Sequence, residues 1–515
     1  MQKNSHKMSR ITLLMLLLLF TFHLINNIIV LKLDKAPLVY DAYANYNNAK
    51  SYVFNSHISS YWPPLTAFLS LPIFKLFGAS QKAVSFGIGI YSLFVIIFTT
   101  YLLAKELYSK EVGLLSAFIL SSLPIIFGHS RACMSDLLLA GWVTFSILLM
   151  TQPEVFISLE LIILFGIVIG LGMLTRISYP LYVLGPFIYT IIKNPKRNIK
   201  TYFNLFLIIL IAFSICLFWY LPNAFKTADE YIKIGQFRLA HINSAMLFNY
   251  VYDTLLKDWL GVVCIILFFL ALLRQNKIKQ PRRILFLIWI AVPYFILSFM
   301  EFKNPRFIIP ILPALAVIDS FYIFNIQRAF YRKAMIIFIV FLGIAQIIFI
   351  SYFPLAQKTY DFLEEPFNEW ELQSFGLLQP MRQEWNFTEI GNSIRAIAPD
   401  VQKKVIFIKV RPLVEDGLRD MGQECNFEIA LSHYELCCMH LKREELRNEN
   451  LLFSKLSEAD IVIKVEDSAF YDEICENSHK LDELFEKNIH KFILVNSVSL
   501  PDSSDLKIYK SQNLP

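Results

Sequence analysis

Residues 11–31 read ITLLMLLLLFTFHLINNIIVL, an apolar run that no charged side chain interrupts. About 20 helical residues cross the ~30 Å hydrocarbon layer of a bilayer. This stretch therefore decides the fold class: it reads as a membrane-spanning helix. Lys3, Lys7 and Arg10 precede it, a lead-in that also fits a secretory signal. No small-residue cleavage site follows, so the segment is expected to stay as an uncleaved first helix with its N-terminus inside.

Further apolar runs fall near residues 84–104, 112–128, 137–151, 155–174, 177–192 and 202–221, and then near 260–273, 284–300, 307–324 and 334–353. With the first they predict about eleven transmembrane helices. Composition agrees: 56% of the 515 residues are hydrophobic and only 17% are charged, whereas soluble domains run about 45–50% and about 25%. The net charge of +6 hides a split. Residues 1–354 hold 30 Lys+Arg against 13 Asp+Glu, and residues 355–515 hold 18 against 29. Two domains are expected, a transmembrane one over 1–354 and a second over 355–515. The basic residues of the first punctuate apolar runs instead of forming a stripe, which argues against a nucleic-acid surface.

Threading from an inside N-terminus sends 17 of those 30 basic residues to alternate loops, among them Lys193, Lys196, Arg197 and Lys200, then Arg274, Lys277, Lys279, Arg282 and Arg283. Those loops are cytoplasmic by the positive-inside rule. The outer side then holds the long first loop, 32–83, a tight loop at His129–Ser135, the aromatic loop 223–258, a short turn at 301–306 and the whole C-terminal domain. The expected location is the plasma (inner) membrane, multi-pass, with the C-terminal domain extracytoplasmic. Long loops concentrate function, so the chemistry is sought outside. In the aromatic loop, Tyr231, Phe237, Arg238, His241, Tyr250 and Tyr252 suit an amphipathic helix on the membrane or a lid.

The first loop carries Asp41, Tyr43 and Tyr46, then Tyr61-Trp62-Pro63-Pro64-Leu65 and LPIFKLFG at 71–78. Ile73–Phe77 with Lys75 embedded suits a helix in the interface. An acidic residue held between such segments faces the membrane surface. These residues resemble the first loop of the GT-C glycosyltransferases, most closely the protein O-mannosyltransferase and aminoarabinose–lipid A transferase group. His129-Ser130-Arg131 with Asp136 five positions beyond, GLGMLTRISYPL at 170–181 and FKNPRFIIPILPALAV at 302–317 resemble further elements of that group, in order. Many members carry Asp-Glu where this chain has Asp41-Ala42.

The resemblance implies a polytopic α-helical membrane protein that moves a sugar from a polyprenyl-phosphate donor to a lipid, glycan or protein acceptor, with inversion. Such chemistry needs a base for the acceptor's proton, and Asp41 is the expected one; a helix cap is the alternative. It also needs cations on the leaving phosphate, for which Arg131, Arg176, Lys303 and Arg306 stand at the outer ends of spans; snorkelling or pairing with an acid is the alternative for each. Asp136, Tyr46, Trp62 and His129 are the expected acceptor or secondary residues. No cofactor is expected beyond the lipid-linked sugar donor. A divalent metal held by Asp41, Asp136 and His129 is the less favoured reading, and no Cys/His cluster has zinc spacing. Asp319, inside a span, is expected to pair with Arg328 or a tyrosine. A transporter or flippase of a lipid-linked or anionic substrate is the competing function, yet no internal repeat is visible; a non-catalytic envelope scaffold is the third.

In the C-terminal part KKVIFIKV at 403–410, ADIVIKV at 459–465 and HKFILVNSVSL at 490–500 read as strands alternating with helical stretches. A small α/β domain with a partly parallel sheet follows. Cys425, Cys437, Cys438 and Cys475 permit disulfides outside the cell without fixing their pairing. Asn386-Phe387-Thr388 is a glycosylation sequon whose use depends on the organism. No nucleophile motif or phosphate loop appears there, and the expected role is acceptor recognition or support of the outer loops.

Overall fold

The computed structural model describes residues 10–38, 40–55, 62–78, 80–193, 198–233, 280–300, 304–353, 380, 382, 387–397, 402–410, 418, 427–431, 448–466, 476–500 and 504–512. The chain forms two compact units. Met1–Lys32, Ala44–Ala228 and Phe237–Gln379 make the first; Leu33–Tyr43, Asp229–Gln236 and Pro380–Pro515 make the second.

The first unit is helical: α1 (Arg10–Leu33), most of α2 (Tyr40–Asn55), α3 (Leu65–Phe77), α4 (Gln81–Leu107), α5 (Lys110–Ser122), α6 (Pro124–His129), α7 (Asp136–Met150), α8 (Leu159–Thr175), α9 (Tyr179–Lys193), α10 (Ile199–Lys233), α11 (Gln280–Ser298), a 3-10 turn (Pro305–Ile311), α12 (Leu312–Phe324) and α13 (Ala329–Tyr352). Every expected span within the described residues overlaps helix, although 112–128 and 307–324 are each divided between two elements; the one near 260–273 lies outside the described residues. By length and composition, five described helical segments suffice to cross a membrane: α1, α4, Ile199–Asn223, Arg306–Phe324 and α13. Local chemistry sets the breaks. The Ser80 and Ser109 hydroxyls accept from the amides of Ala83 and Val112 at 3.3 Å, capping α4 and α5. Pro124, lacking an amide hydrogen, divides the expected 112–128 span into α5 and α6.

Helix α7 is the centre. Every residue of it but Phe145 is buried, and it packs against α4, α8, α9 and the 3-10 turn. Helix α8 meets α10 through a small-residue seam. A Cβ on Gly166 would stand 2.7 Å from Ile211 Cβ, and one on Gly170 2.8 Å from Ile215 Cβ and 3.1 Å from the Ala212 carbonyl. Only glycine lets the two backbones approach this closely. On its other side α10 exposes Phe203, Phe206, Leu210 and Phe213, as a lipid-facing helix does.

The second unit contains a five-stranded sheet in the order β2-β1-β3-β5-β4, with β1 (Lys403–Ile408), β2 (Phe427–Leu431), β3 (Ile461–Glu466), β4 (Phe492–Ser499) and β5 (Asp505–Ser511). Strand β1 runs parallel to β2 and β3, whereas β5 runs antiparallel to β3 and β4. Alternate residues face opposite sides. Val405, Phe407, Ile461 and Ile463 pack under α14 (Phe387–Ile397) through Ile390 and Ile394. Ile406, Ile408 and Val462 pack under α15 (Glu449–Ser457) and α16 (Glu476–Asn488) through Leu452, Leu456, Leu481 and Phe485. Lys464 shares that second face and is buried. Its Nζ lies 2.7 Å from Asp482 Oδ1 and also pairs with Glu486, while Lys409 Nζ lies 2.8 Å from Asp482 Oδ2. Lys409 itself adopts a left-handed backbone, φ 53°, ending β1.

Two outcomes test this packing. Gly170→Leu should lower stability by about 1–3 kcal/mol, as overpacking does, read as the unfolding midpoint in detergent; an unchanged midpoint would show that α8 and α10 are not in close contact. Burial pushes the Asp482 carboxyl up, but Lys409 and Lys464 outweigh it and hold it below the ordinary carboxylate value of 3.8. The folded unit thus binds that proton less readily than the unfolded chain. Its contribution is complete above the ordinary value and is lost as pH falls through the depressed one. Hydrogen exchange at β3 amides should accelerate on acidification below about pH 4, and Asp482→Asn should flatten that response.

Candidate functional site

The N-terminus of α7, the C-terminus of α8 and the 3-10 turn before α12 bring together Asp136, Arg176 and Arg306. All are buried, at 3%, 6% and 6% exposure. Arg176 Nη1 donates to Asp136 Oδ1 as a buried ion pair. Arg306 and His129 lie within electrostatic reach of the same carboxylate. The Phe307 ring lies near both guanidiniums, 5.7 Å from Arg176 Cζ and 5.6 Å from Arg306 Cζ. Its own carbonyl accepts from Tyr182 of α9 at 2.8 Å. Asn304 caps the turn by accepting from the Arg306 amide at 3.1 Å, and Trp289 of α11 donates to the Pro310 carbonyl at 3.1 Å. The turn that presents Arg306 is thereby pinned from two helices. Two guanidiniums and one carboxylate, held rigid in a low-dielectric surround, suit recognition of a phosphate ester.

His129 ends α6 and is fully buried; its Nδ1 lies 2.8 Å from the Ile125 carbonyl. A carbonyl only accepts, so Nδ1 carries the hydrogen and Nε2 the lone pair. Asp41 is the second residue of α2, half-buried, in the segment that groups with the second unit. Tyr46, on the same helix, is fully buried and stacks on Phe74 of α3 with ring centroids 5.8 Å apart. Trp62 is half-buried ahead of the buried Pro63-Pro64. Lys303 lies outside the described residues. Among the described residues no three His, Cys, Asp or Glu side chains gather to hold a metal ion.

Arg131 has a different set of partners. Its Nε donates to Asn27 Oδ1 at 3.2 Å and its Nη2 to Ser351 Oγ at 2.5 Å. Sequence reasoning passed over Asn26, Asn27, Ser351 and Phe307. Adjacent asparagines inside an otherwise apolar span were the available signal, since such residues seek partners on neighbouring helices. The expected pairing of Asp319 does not form. Arg328 instead stands at the N-cap of α13 and lies over the Tyr331 ring at 5.8 Å, and neither Asp319 oxygen meets a donor among the described residues.

The model of a family described as dolichyl-phosphate-mannose-protein mannosyltransferase matches residues 62–219. An uncharacterized protein of Aquifex aeolicus is 26% identical over 273 residues, 52% of this chain and 54% of that protein. The undecaprenyl phosphate-alpha-4-amino-4-deoxy-L-arabinose arabinosyl transferase 2 of Proteus mirabilis is 24% identical over 342 residues, 62% of this chain and 59% of the transferase. The chain thus spans less than two thirds of the length of these relatives. Among solved structures, ArnT from Cupriavidus metallidurans bound to undecaprenyl phosphate superposes with a TM-score of 0.62 at 11% identity, covering 97% of this chain and 98% of ArnT. The oligosaccharyltransferase AglB from Archaeoglobus fulgidus, in complex with an inhibitory peptide and a dolichol-phosphate, gives 0.52 at 12% identity, covering 97% and 74%. The resemblance read from the sequence is borne out: this is a polytopic membrane protein with the fold of the GT-C glycosyltransferases.

Removing one partner of a buried ion pair leaves the other charged and unsolvated, at a cost of about 3–5 kcal/mol. Arg176→Ala should therefore destabilise the chain by that order, and Arg176→Ala with Asp136→Ala by clearly less. A double-mutant cycle on unfolding midpoints in lipid nanodiscs reads the coupling, and additive shifts would dissolve the pair.

Proposed function

We propose that the chain transfers a sugar from a polyprenyl-phosphate donor to a lipid, glycan or protein acceptor at the extracytoplasmic face of the plasma (inner) membrane. Residues 1–354 act as the catalytic transmembrane domain and 355–515 as the outer domain. The observation that carries this reading is the buried Asp136–Arg176 pair with Arg306 beside it, set in a GT-C fold. The printed ligands of ArnT and AglB, undecaprenyl phosphate and a dolichol-phosphate, support the donor class.

In this mechanism Asp41 takes the proton of the acceptor as the acceptor's heteroatom bonds to the anomeric carbon. The bond from that carbon to the phosphate oxygen breaks at the same time, on the opposite face, and its electron pair leaves with the lipid phosphate. Inversion follows from that geometry. Arg176 and Arg306 meet the charge that grows on the phosphate, where prearranged donors act without reorganising; Lys303 joins them by motif position. Asp136 keeps Arg176 aimed, and His129 offers Nε2 as an acceptor. Tyr46 holds α2 on α3, and Trp62 borders the acceptor. The chemistry invokes no resident metal.

Asp41→Asn keeps the shape of the side chain and removes the base. Transfer of labelled sugar from a polyprenyl-phosphate donor in membranes should fall by about 10²–10⁴-fold, with the protein still folded. Undiminished transfer would remove Asp41 from the mechanism. Absence of transfer by the wild type from every polyprenyl-phosphate sugar tried would sink the glycosyltransferase reading itself.

A further inference from the structure

We propose that Arg131 is a positioning residue: it clamps the turn between α6 and α7, which is flanked by His129 and Asp136, to α1 and α13. The inference rests on the glycosyl-transfer reading above and takes Arg131 out of the group that meets the donor phosphate.

The geometry is a closed polar circuit in apolar surroundings. Asn27 of α1 accepts from Arg131 Nε, and its amide donates to the Ser130 carbonyl at 3.0 Å and the Ser130 hydroxyl at 2.9 Å. Ser130 Oγ in turn donates to the Phe127 carbonyl at 2.7 Å, and the Arg131 guanidinium lies 5.1 Å from the Phe127 ring centroid. On the far side Arg131 Nη2 reaches Ser351 of α13, and the neighbouring Tyr352 hydroxyl donates to Asn26 Oδ1 at 2.7 Å. Asn27, Ser130 and Ser351 are all fully buried, and Arg131 is 4% exposed. From below, α4 closes the turn: a Cβ on Gly89 would stand 2.1 Å from the Ser130 carbonyl oxygen.

Between the clamp and the catalytic cluster runs a short stretch of turns. The Arg131 amide donates to the Gly128 carbonyl at 2.9 Å and the Met134 amide to the Ala132 carbonyl at 2.9 Å. Five positions after Arg131, Asp136 begins α7. A rigid turn of this length fixes where Asp136 places Arg176. Misplacement of a reacting group by about 1 Å can cost on the order of 10²-fold in rate, which is how residues that touch no substrate reach the chemistry.

The experiment compares Arg131→Lys, Asn27→Ala, Ser351→Ala and Arg131→Lys/Asn27→Ala in membranes with a labelled polyprenyl-phosphate sugar. A clamp predicts that Arg131→Lys and Asn27→Ala each lower kcat on the order of tenfold or more while donor KM stays within about twofold, and that the double variant is no worse than the poorer single one. A phosphate ligand predicts the reverse: Arg131→Lys, still charged, raises donor KM about tenfold, and Asn27→Ala behaves as wild type. That outcome overturns the proposal. Unfolding midpoints of the same variants in nanodiscs provide a readout independent of activity. Non-additive shifts for Arg131 and Asn27 support the clamp, and additive shifts overturn it, even where the wild type moves no sugar and the glycosyl-transfer reading has failed.

Discussion

The buried pair of Asp136 and Arg176 is the contact on which the bundle turns. Neither charge is tolerable alone in a low-dielectric interior, and their attraction offsets desolvation only when geometry is tight and further hydrogen-bond partners are present. That condition fixes the start of α7 against the end of α8. Because α7 is buried almost all round, its register is passed on to α4, α9 and the turn bearing Arg306. Apolar packing brings these helices together, but it is nearly indifferent to rotation in lipid; polar contacts and glycine seams choose the rotation. The Gly166 and Gly170 seam does this along α8, against α10.

The helices were legible because hydropathy over a ~20-residue window is a direct read of transfer free energy. Asp136, Arg176 and Arg306 were legible as a set through their order and their places at span ends. Their partnerships were not. Whether Arg176 faces Asp136, or Arg131 faces Asn27, depends on helix rotation, and each such contact joins residues 40 or 104 positions apart. The cost of misreading rotation shows at Asp319. Its neighbours in sequence suggested Arg328, yet α13 turns that side chain toward Tyr331. In the second unit the short apolar run within KKVIFIKV announced a strand, while the burial of Lys464 became visible only once α16 covered that face with Asp482 and Glu486.

The two units solve the same electrostatic problem by different means. In the helical unit a guanidinium is paired with one carboxylate or with neutral oxygens of Asn and Ser. In the sheet unit an ammonium is shared between two carboxylates, and one carboxylate between two ammoniums. Planar forks fix direction, whereas point charges fix only proximity.

The contacts of Asn27 and Asn26 also set an order on biogenesis. Both asparagines enter the bilayer with the first helix, yet the Arg131 that Asn27 holds comes 104 residues later and the Tyr352 that Asn26 holds comes 326 residues later. Throughout synthesis of the intervening helices, α1 is an apolar span whose two amides, in its C-terminal third, lack these partners. Its contacts with Ser130 and Arg131 become possible once the turn after α6 has been made, and that of Asn26 with Tyr352 only with α13. Closure of this circuit therefore waits on α13, whose Ser351 and Tyr352 supply its last two contacts.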